Sequence, residues 1–432
     1  MDNNIRKRKK GWGVLHFALL VLTLGVTVAG AFGIIQASAH EGYFAPGTPA
    51  VAQLDPTPLP TVPELTPSQF VAPTPEATMG VRTAKIRAVG DVMMHANQLA
   101  AGKMDSGVYD FSSFFADIRE SLESADYTIV NLETTLAGAE KGYAGYPQFN
   151  SPDTLLDALK ACGVDYIGTA NNHCLDTGLA GAKRTIEQIR AAGFEHSGTN
   201  LSAEDKQLIP IVDINGIKVS IMCYSEAFNG LEPVIPAADL NYLINRMDKT
   251  QIIADYNRAK SLGADVAIVY LHWGAEYKRE PSADMRGLAQ DLLDAGVDII
   301  LGSHPHMVQP ITRKNVSVGG QTKEGIVVYS MGNFISDQRD QYRDSGIIFE
   351  VNIEKNMDTG AIKFLETKYV PTYVARSESG GKYEYRILPA GKYANDSTLL
   401  NSLPAATKTR LTAVWNEMKT LIGQSTAVPA NE

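Results

Sequence analysis

A chain of 432 residues, 44% of them apolar, suffices for one large α/β domain or two ordinary ones and has an ordinary globular composition. Its formal charge of −9 becomes −13 once the +4 of the first ten residues (Asp2 against Arg6, Lys7, Arg8, Lys9 and Lys10) is set apart, so the body is too acidic for broad electrostatic binding of nucleic acid. Three cysteines, Cys162, Cys174 and Cys223, are too few for a disulfide framework and read as small buried residues.

In chain order, residues 1–10 form a basic cytoplasmic segment, and residues 11–39 contain no Asp, Glu, Lys or Arg. Such a run spans a bilayer, and the bases before it set the amino terminus inside the cell. Ala37-Ser38-Ala39 also has the form of a signal-peptide cleavage site, but the apolar run is longer than a usual signal core. An uncleaved single-pass transmembrane anchor is the expectation, with a secreted product if the segment is cleaved; both put the remainder outside the cytoplasm. Residues 40–82, rich in Pro, Thr, Ala and Val, cannot bury a core and read as an extended stalk. The folded domain is assigned to 83–390 and a helical extension to 391–432.

Within the domain, Lys85 to Val89 alternates as a strand and runs into Gly90-Asp91. Helical spacing covers Phe111 to Ser124, and a buried-type strand, Tyr127 to Val130, leads to Asn131-Leu132-Glu133. A helix from Asp153 to Cys162 precedes the strand Asp165 to Thr169, which ends in Asn171-Asn172-His173. Another helix covers Gly178 to Ala192, and Asn215-Gly216 between Val/Ile-rich runs marks a β-hairpin. A helix from Lys249 to Leu262 precedes the strand Val266 to Leu271, which meets His272. The helix Ser282 to Ala295 leads to the apolar run from Val297, which breaks at Gly302 before His304-Pro305-His306. Strand-like runs follow at Ile326 to Ser330, Ile347 to Ile353 and Ile362 to Tyr369, with a C-terminal helix from Leu399 to Leu421. This alternation predicts a layered α/β fold, a largely parallel core joined by antiparallel strands.

Five apolar strands thus run into ligand-type residues: Asp91, Glu133, Asn172 with His173, His272, and His304 with His306. Sites in α/β sheets form where the carboxyl ends of strands converge. Alternation in an extended chain, with His304 held extended by Pro305, predicts that His304 and His306 share a face. Mixed oxygen and nitrogen donors exceed the needs of one tetrahedral zinc, and two ions sharing a bridging carboxylate would use them. His16, His40 and His196 have no companions and read as structural.

The ordered set Gly90-Asp91-Val-Met-Met-His95, Asn131-Leu-Glu133, Asn171-Asn-His173, His272-Trp-Gly and Gly-Ser-His304-Pro-His306 resembles the CapA family of poly-γ-glutamate capsule synthesis proteins. That family is similar in turn to the calcineurin-like metallophosphoesterases. Tyr329-Ser-Met-Gly-Asn333-Phe and Val370-Pro-Thr-Tyr373-Val also match, so the resemblance covers roughly residues 84 to 390.

The resemblance implies a metallophosphoesterase-like sandwich of mixed sheets with flanking helices. It implies that Asp91 and His306 bind a first divalent ion, that Glu133 bridges, and that Asn172, His272 and His304 complete a second. The ions would be Mn, Fe or Zn. His173 resembles the histidine that faces substrate and protonates the leaving group. Two departures stand out: His95 follows Asp91 by four residues where the phosphoesterase pattern has Asp-x-His, and Glu133 replaces the usual bridging Asp. His95 and Asn333 either bind metal or hydrogen-bond to its ligands.

Two roles follow from the resemblance. One is a metal-dependent hydrolase acting outside the cell on a phosphoester or an envelope polymer linkage. The other is a non-catalytic subunit that binds poly-γ-glutamate beside a membrane capsule synthase, with Lys278, Arg279, Arg286, Arg339 and Arg343 as bases for its carboxylates. The expected partners are the membrane and an anionic polymer, and no nucleic acid.

Overall fold

The computed structural model describes residues 80–423 and 427–432. The basic segment, the apolar run 11–39, nearly all of the Pro-rich stretch, His16 and His40 lie outside them. Among the described residues no helix is long and apolar enough to cross a membrane.

The first strands are β1 (Val81–Val92), β2 (Tyr127–Leu132), β3 (Tyr166–Gly168), β4 (Glu195–Ser197), β5 (Ile211–Ile214), β6 (Ile217–Ser225), β7 (Val266–His272) and β8 (Ile299–Ser303). They are followed by β9 (Ile311–Val318), β10 (Gln321–Val328), β11 (Asn333–Ile335), β12 (Ser345–Asn356), β13 (Ile362–Ser379), β14 (Lys382–Pro389) and β15 (Val428–Pro429). They form two sheets. One has the order β14-β13-β12-β1-β2-β3-β4, with β11 added beside β1 and β15 beside β13; the other runs β5-β6-β7-β8-β10-β9. The centres are parallel (β1 to β4; β6 to β8 and β10), and antiparallel strands β12 to β14, β5 and β9 complete the edges.

Burial on both faces explains the continuous apolar runs: every residue of β7 and β8 is buried. Between the sheets, Ile86 and Ile129 meet Ile221, Ile268 and Leu301. Outside the first sheet, Phe111, Phe114, Ile118, Leu155 and Leu159 cover Val89, Val130 and Ile348. Outside the second, helices Lys249–Ser261 and Ala283–Asp294 bring Ile252, Met285, Ala289 and Leu292 onto Val269 and Ile300. The result is a four-layer helix–sheet–sheet–helix sandwich. Both helices start at side-chain caps, Asp248 accepting from the Gln251 N–H and Ser282 from the Met285 N–H.

Several boundaries differ from expectation. Residues 81 and 82 already belong to β1, where Val81 pairs with Asn356, so this strand begins inside the expected stalk. The run Phe111 to Ser124 divides into a 3-10 turn, Ser112–Phe115, and a short helix, Arg119–Glu123. The C-terminal helix breaks before Pro404, which holds Leu403 extended, into Ser397–Ser402 and Ala405–Ile422. The second piece is no appendage: Leu411, Val414, Trp415 and Met418 are part of the inter-sheet core.

Asn215 and Gly216 both have positive φ, as a two-residue hairpin turn requires, and link β5 to β6. On β1 strict alternation fails. Arg87 and Val89 lie on the outer side, and so does Val92, three residues on. The register with β2 shifts between Ala88 and Asp91. That irregularity turns Asp91 away from the outer layer and toward the second sheet.

Candidate metal centre

The carboxyl ends of β1, β2, β3, β7 and β8 converge on one buried polar cluster. Asp91 and Glu133 are fully buried, His272 is 1% exposed and His306 2% exposed. Two sets of donor atoms lie within 4.8 Å of one another: Asp91, Glu133 and His306, and Glu133, His272 and His304. Glu133 is common to both. Asn172 joins the second set, its Oδ1 standing 2.9 Å from His272 Nε2, which is also 3.0 Å from His304 Nδ1 and 3.5 Å from Glu133 Oε1.

Backbone packing fixes these positions. A methyl group on Gly90 would lie 1.9 Å from the Gly332 carbonyl oxygen, and one on Gly302 would lie 2.0 Å from that of Tyr329. Only glycine lets β1 and β8 come this close to the 329–332 segment just before their functional residues. The β8 strand ends at Ser303, and His304 and His306 then adopt φ values of 96° and 55°. The expectation that the two histidines share one face of an extended chain is therefore corrected. A bend through left-handed backbone brings their rings to 6.1 Å, a sparsely populated conformation of the kind that accumulates at functional sites.

Neighbours orient the donors. Asn131 donates 2.8 Å to Asp91 Oδ1 and accepts from Asn171 Nδ2 at 3.1 Å. His272 Nδ1 meets Ser303 Oγ at 3.0 Å, which leaves Nε2 turned to the cluster. His306 Nδ1 lies 3.1 Å from both Asp91 Oδ2 and Asn333 Oδ1. Asn333 therefore lines the site; it sits in β11 opposite Asp91. His95 joins neither set. It precedes the helix Ala96–Gly102, its Nδ1 accepts from the Asp337 N–H at 3.3 Å, and its ring meets Phe149 edge-on. His173, 5% exposed, packs edge-to-face on Phe149 and has Nδ1 2.8 Å from Asp176 Oδ2. His196 lies elsewhere, accepting from Arg190 Nε at 2.9 Å.

Electrostatics favour a cation. Both Glu133 oxygens are buried and, among the described residues, neither has a hydrogen-bond partner. Burial, and then the nearby charge of Asp91, push this carboxyl well above the carboxylate range. Burial works the same way on Asp91, but His306, His272 and Asn131 outweigh it and hold that carboxyl low. Burial and His304 push His272 well below the usual imidazole value, and burial and His306 take His304 to about 4. His95 also falls to about 4 through burial. Imidazoles that resist protonation offer lone pairs, and an unpartnered buried carboxylate costs free energy until a positive charge meets it. Ligand atoms about 2.0–2.2 Å from a common ion stand roughly 3 Å apart, as the atoms around His272 Nε2 do. The residues therefore fit divalent ions. The absence of thiolate from the set suits Mn, Fe or Zn alike.

Sequence reasoning missed Asn131, Asn171, Ser303, Asp176 and Phe149 as site residues. The first three stand inside the strand-end motifs and were hidden by their louder neighbours. Asp176 carries a local signal, three residues after His173, the spacing of one helical turn. Phe149 has none, because a loop distant in sequence delivers it.

Among curated proteins, the capsule biosynthesis protein CapA of Bacillus anthracis is 29% identical over 262 residues, 58% of this chain and 59% of that protein. The PGA biosynthesis protein CapA of Bacillus subtilis (strain 168) is 27% identical over 282 residues, 62% of this chain and 67% of that one. The chain thus spans about six tenths to two thirds of the length of these relatives. Among solved structures, the calcineurin-like phosphoesterase YfkN from Bacillus subtilis aligns over 78% of this chain and 99% of that one, at 17% identity and a TM-score of 0.39. Residues 85–338 match the family described as bacterial capsule synthesis protein PGA_cap, and the chain belongs to that family.

Proposed function

We propose that the protein is a membrane-anchored, extracytoplasmic, metal-dependent hydrolase of poly-γ-glutamate capsule biosynthesis. Its substrate would be an anionic one, a phosphoester or a linkage of the envelope polymer. The observation that carries this reading is Glu133: a fully buried carboxylate with two unpartnered oxygens, shared by two sets of ligand-type atoms. The charge-free run 11–39 behind a basic cluster supports the anchor.

Asp91, Glu133 and His306 would hold one ion, and Glu133, Asn172, His272 and His304 the other. When bound, such a pair supplies charge neutralisation for an anionic substrate and lowers the pKa of water. The chain's own residues do the rest. Asp176 holds His173 by Nδ1, leaving Nε2 to hand a proton to the leaving group. Phe149, packed edge-on against both His95 and His173, holds the His173 ring in place. Ser303 and Asn131 keep His272 and Asp91 aimed while substrate comes and goes.

The test pairs two variants of the full chain. Wild type should carry two equivalents of transition metal and E133A markedly less. H173A should keep its metal and lose about 10²–10⁴-fold in turnover, the usual contribution of a positioned proton donor. Full turnover in H173A would remove the assigned role. A metal-loaded wild type that binds polymer without turning anything over would favour the assembly-subunit role.

A further inference from the structure

Two loops outside the metal cluster clasp each other by reciprocal stacking. Arg343 lies 3.7 Å from the ring centroid of Tyr277, and Arg279 lies 3.9 Å from that of Tyr342. Tyr277 and Arg279 belong to one loop, Tyr342 and Arg343 to the other. Both tyrosines have positive φ, 63° and 74°, which aromatic residues rarely adopt. The clasp is tied to the metal cluster on both sides. The Tyr277 ring stands 6.0 Å from that of His306, and the Tyr277 N–H donates to the Pro305 carbonyl at 2.8 Å. The Arg343 carbonyl accepts from Asn333 Nδ2 at 2.7 Å, and the same Asn333 side chain meets His306.

Away from the cluster the clasp opens into a cleft of about 810 Å³ against the helix Ala405–Ile422, lined by three bases, Arg279, Arg286 and Arg313, and two carboxylates, Glu280 and Glu417, with Tyr342 at its side. The arginines differ in their partners. Arg313 is saturated by both oxygens of Glu324 and by two carbonyls. The carboxylate partner of Arg286 among the described residues is exposed Glu280, and that of Arg343 is exposed Asp340. Among the described residues, no carboxylate stands within ion-pair distance of Arg279. In so acidic a chain, a half-buried guanidinium without a carboxylate is conspicuous. The Tyr342 ring covers one face of the guanidinium and leaves its N–H edge available to a two-oxygen ligand.

We infer that Arg343, Arg279 and Arg286 form an anion subsite beside the metal cluster for a chain that carries an oxyanion on each repeat. One repeat would sit at the metal centre while its neighbours cross Arg343 and Arg279 into the cleft. The assignment rests on the proposed metal centre for what happens to the chain, but its binding test does not. Carboxylates of a γ-linked glutamate chain and phosphates of a polyphosphate chain share the chemistry, so both serve as probes.

Binding of a fluorescent γ-linked glutamate decamer, a polyphosphate chain of equal charge and inorganic phosphate is measured on the full-length protein, with metal content in parallel. R279Q and R343Q should each weaken binding of one of the two chains at least tenfold, leaving inorganic phosphate and metal content unchanged, and R279K should recover part of the loss. The chain that responds identifies the repeat. Unchanged affinity for both chains in R279Q, with melting temperature retained, would overturn the subsite. Failure of the metal reading looks different: wild type would lack metal and E133A would bind phosphate as wild type does, while the R279Q effect on the decamer could still be read.

Discussion

Arg87 and Asp91 stand four residues apart on β1, both fully buried and both charged, and they meet opposite surroundings. Arg87 is satisfied: it bonds Glu350 through Nε at 2.9 Å and Nη2 at 2.6 Å, and it reaches the Ser121 carbonyl and Glu432 as well. Asp91 sits beside Glu133, whose two oxygens accept no hydrogen bond among the described residues, and beside imidazoles kept from protonation by burial. A buried charge with all its partners inside the chain holds the fold together. A buried charge lacking them leaves room for a cation that the chain does not supply.

Removing one side of the satisfied pair should have the largest effect on stability. R87A leaves buried Glu350 without its guanidinium, with the Asn352 amide as its remaining hydrogen-bond partner, and should lower the free energy of unfolding by about 3 kcal/mol in urea titration, with metal content unchanged. A milder loss, or a loss of metal, would erase the distinction between the two clusters.

The metal side should respond to chelation. With free metal near a hundred times its Kd, wild type should lose about 2.7 kcal/mol of stability on treatment with chelator. E133Q, lacking the shared ligand, should show almost no chelator response and no lower stability than the stripped wild type, whose Glu133 carboxyl burial already keeps neutral. Calorimetry with and without chelator decides this.

Smaller still is the effect of an orienting group. S303A leaves His272 Nδ1 only the Asn131 amide at 3.3 Å and should weaken metal binding about 10-fold, the low end of the usual loss when such a partner is removed, without changing the stability of the stripped protein. Competition against a chelating dye measures it.

The smallest difference is in acid. Burial pushes the Glu350 carboxyl up, but hydrogen bonds from Arg87 and Asn352 outweigh it and hold the group below its ordinary value. A depressed folded-state value adds stability above the unfolded value of about 4.3, and that contribution disappears as pH falls through the folded value. The stability gap between wild type and E350Q should therefore narrow below about pH 4. A gap constant from pH 7 to pH 3 would remove Glu350 from the acid response.

Much of the site was legible because each parallel strand delivers its last residue to the same edge, so Asp91, Glu133, Asn172, His272, His304 and His306 announce themselves as polar ends of apolar runs. The left-handed backbone at His304 and His306 was not legible, since pre-proline preference argues the other way at His304 and no glycine marks either position. Arg87 offered no sign of its role either. Its carboxylate partners lie 263 and 345 residues away in sequence, beyond the reach of any local pattern.

What the sequence determined by itself is local and periodic: the order of the elements, the both-sides-buried strands, the turn at Asn215-Gly216 and the residue types at the strand ends. Periodicity records which faces are buried, and a strand end is a local position, so a single chain suffices to read both. Tertiary structure alone decided how the two sheets face each other, that Glu133 would be common to two donor sets, and that Arg279 and Arg343 would stack across a gap between loops. Those are contacts between residues far apart along the chain, set by how whole layers pack, and the composition of any one segment is silent about them.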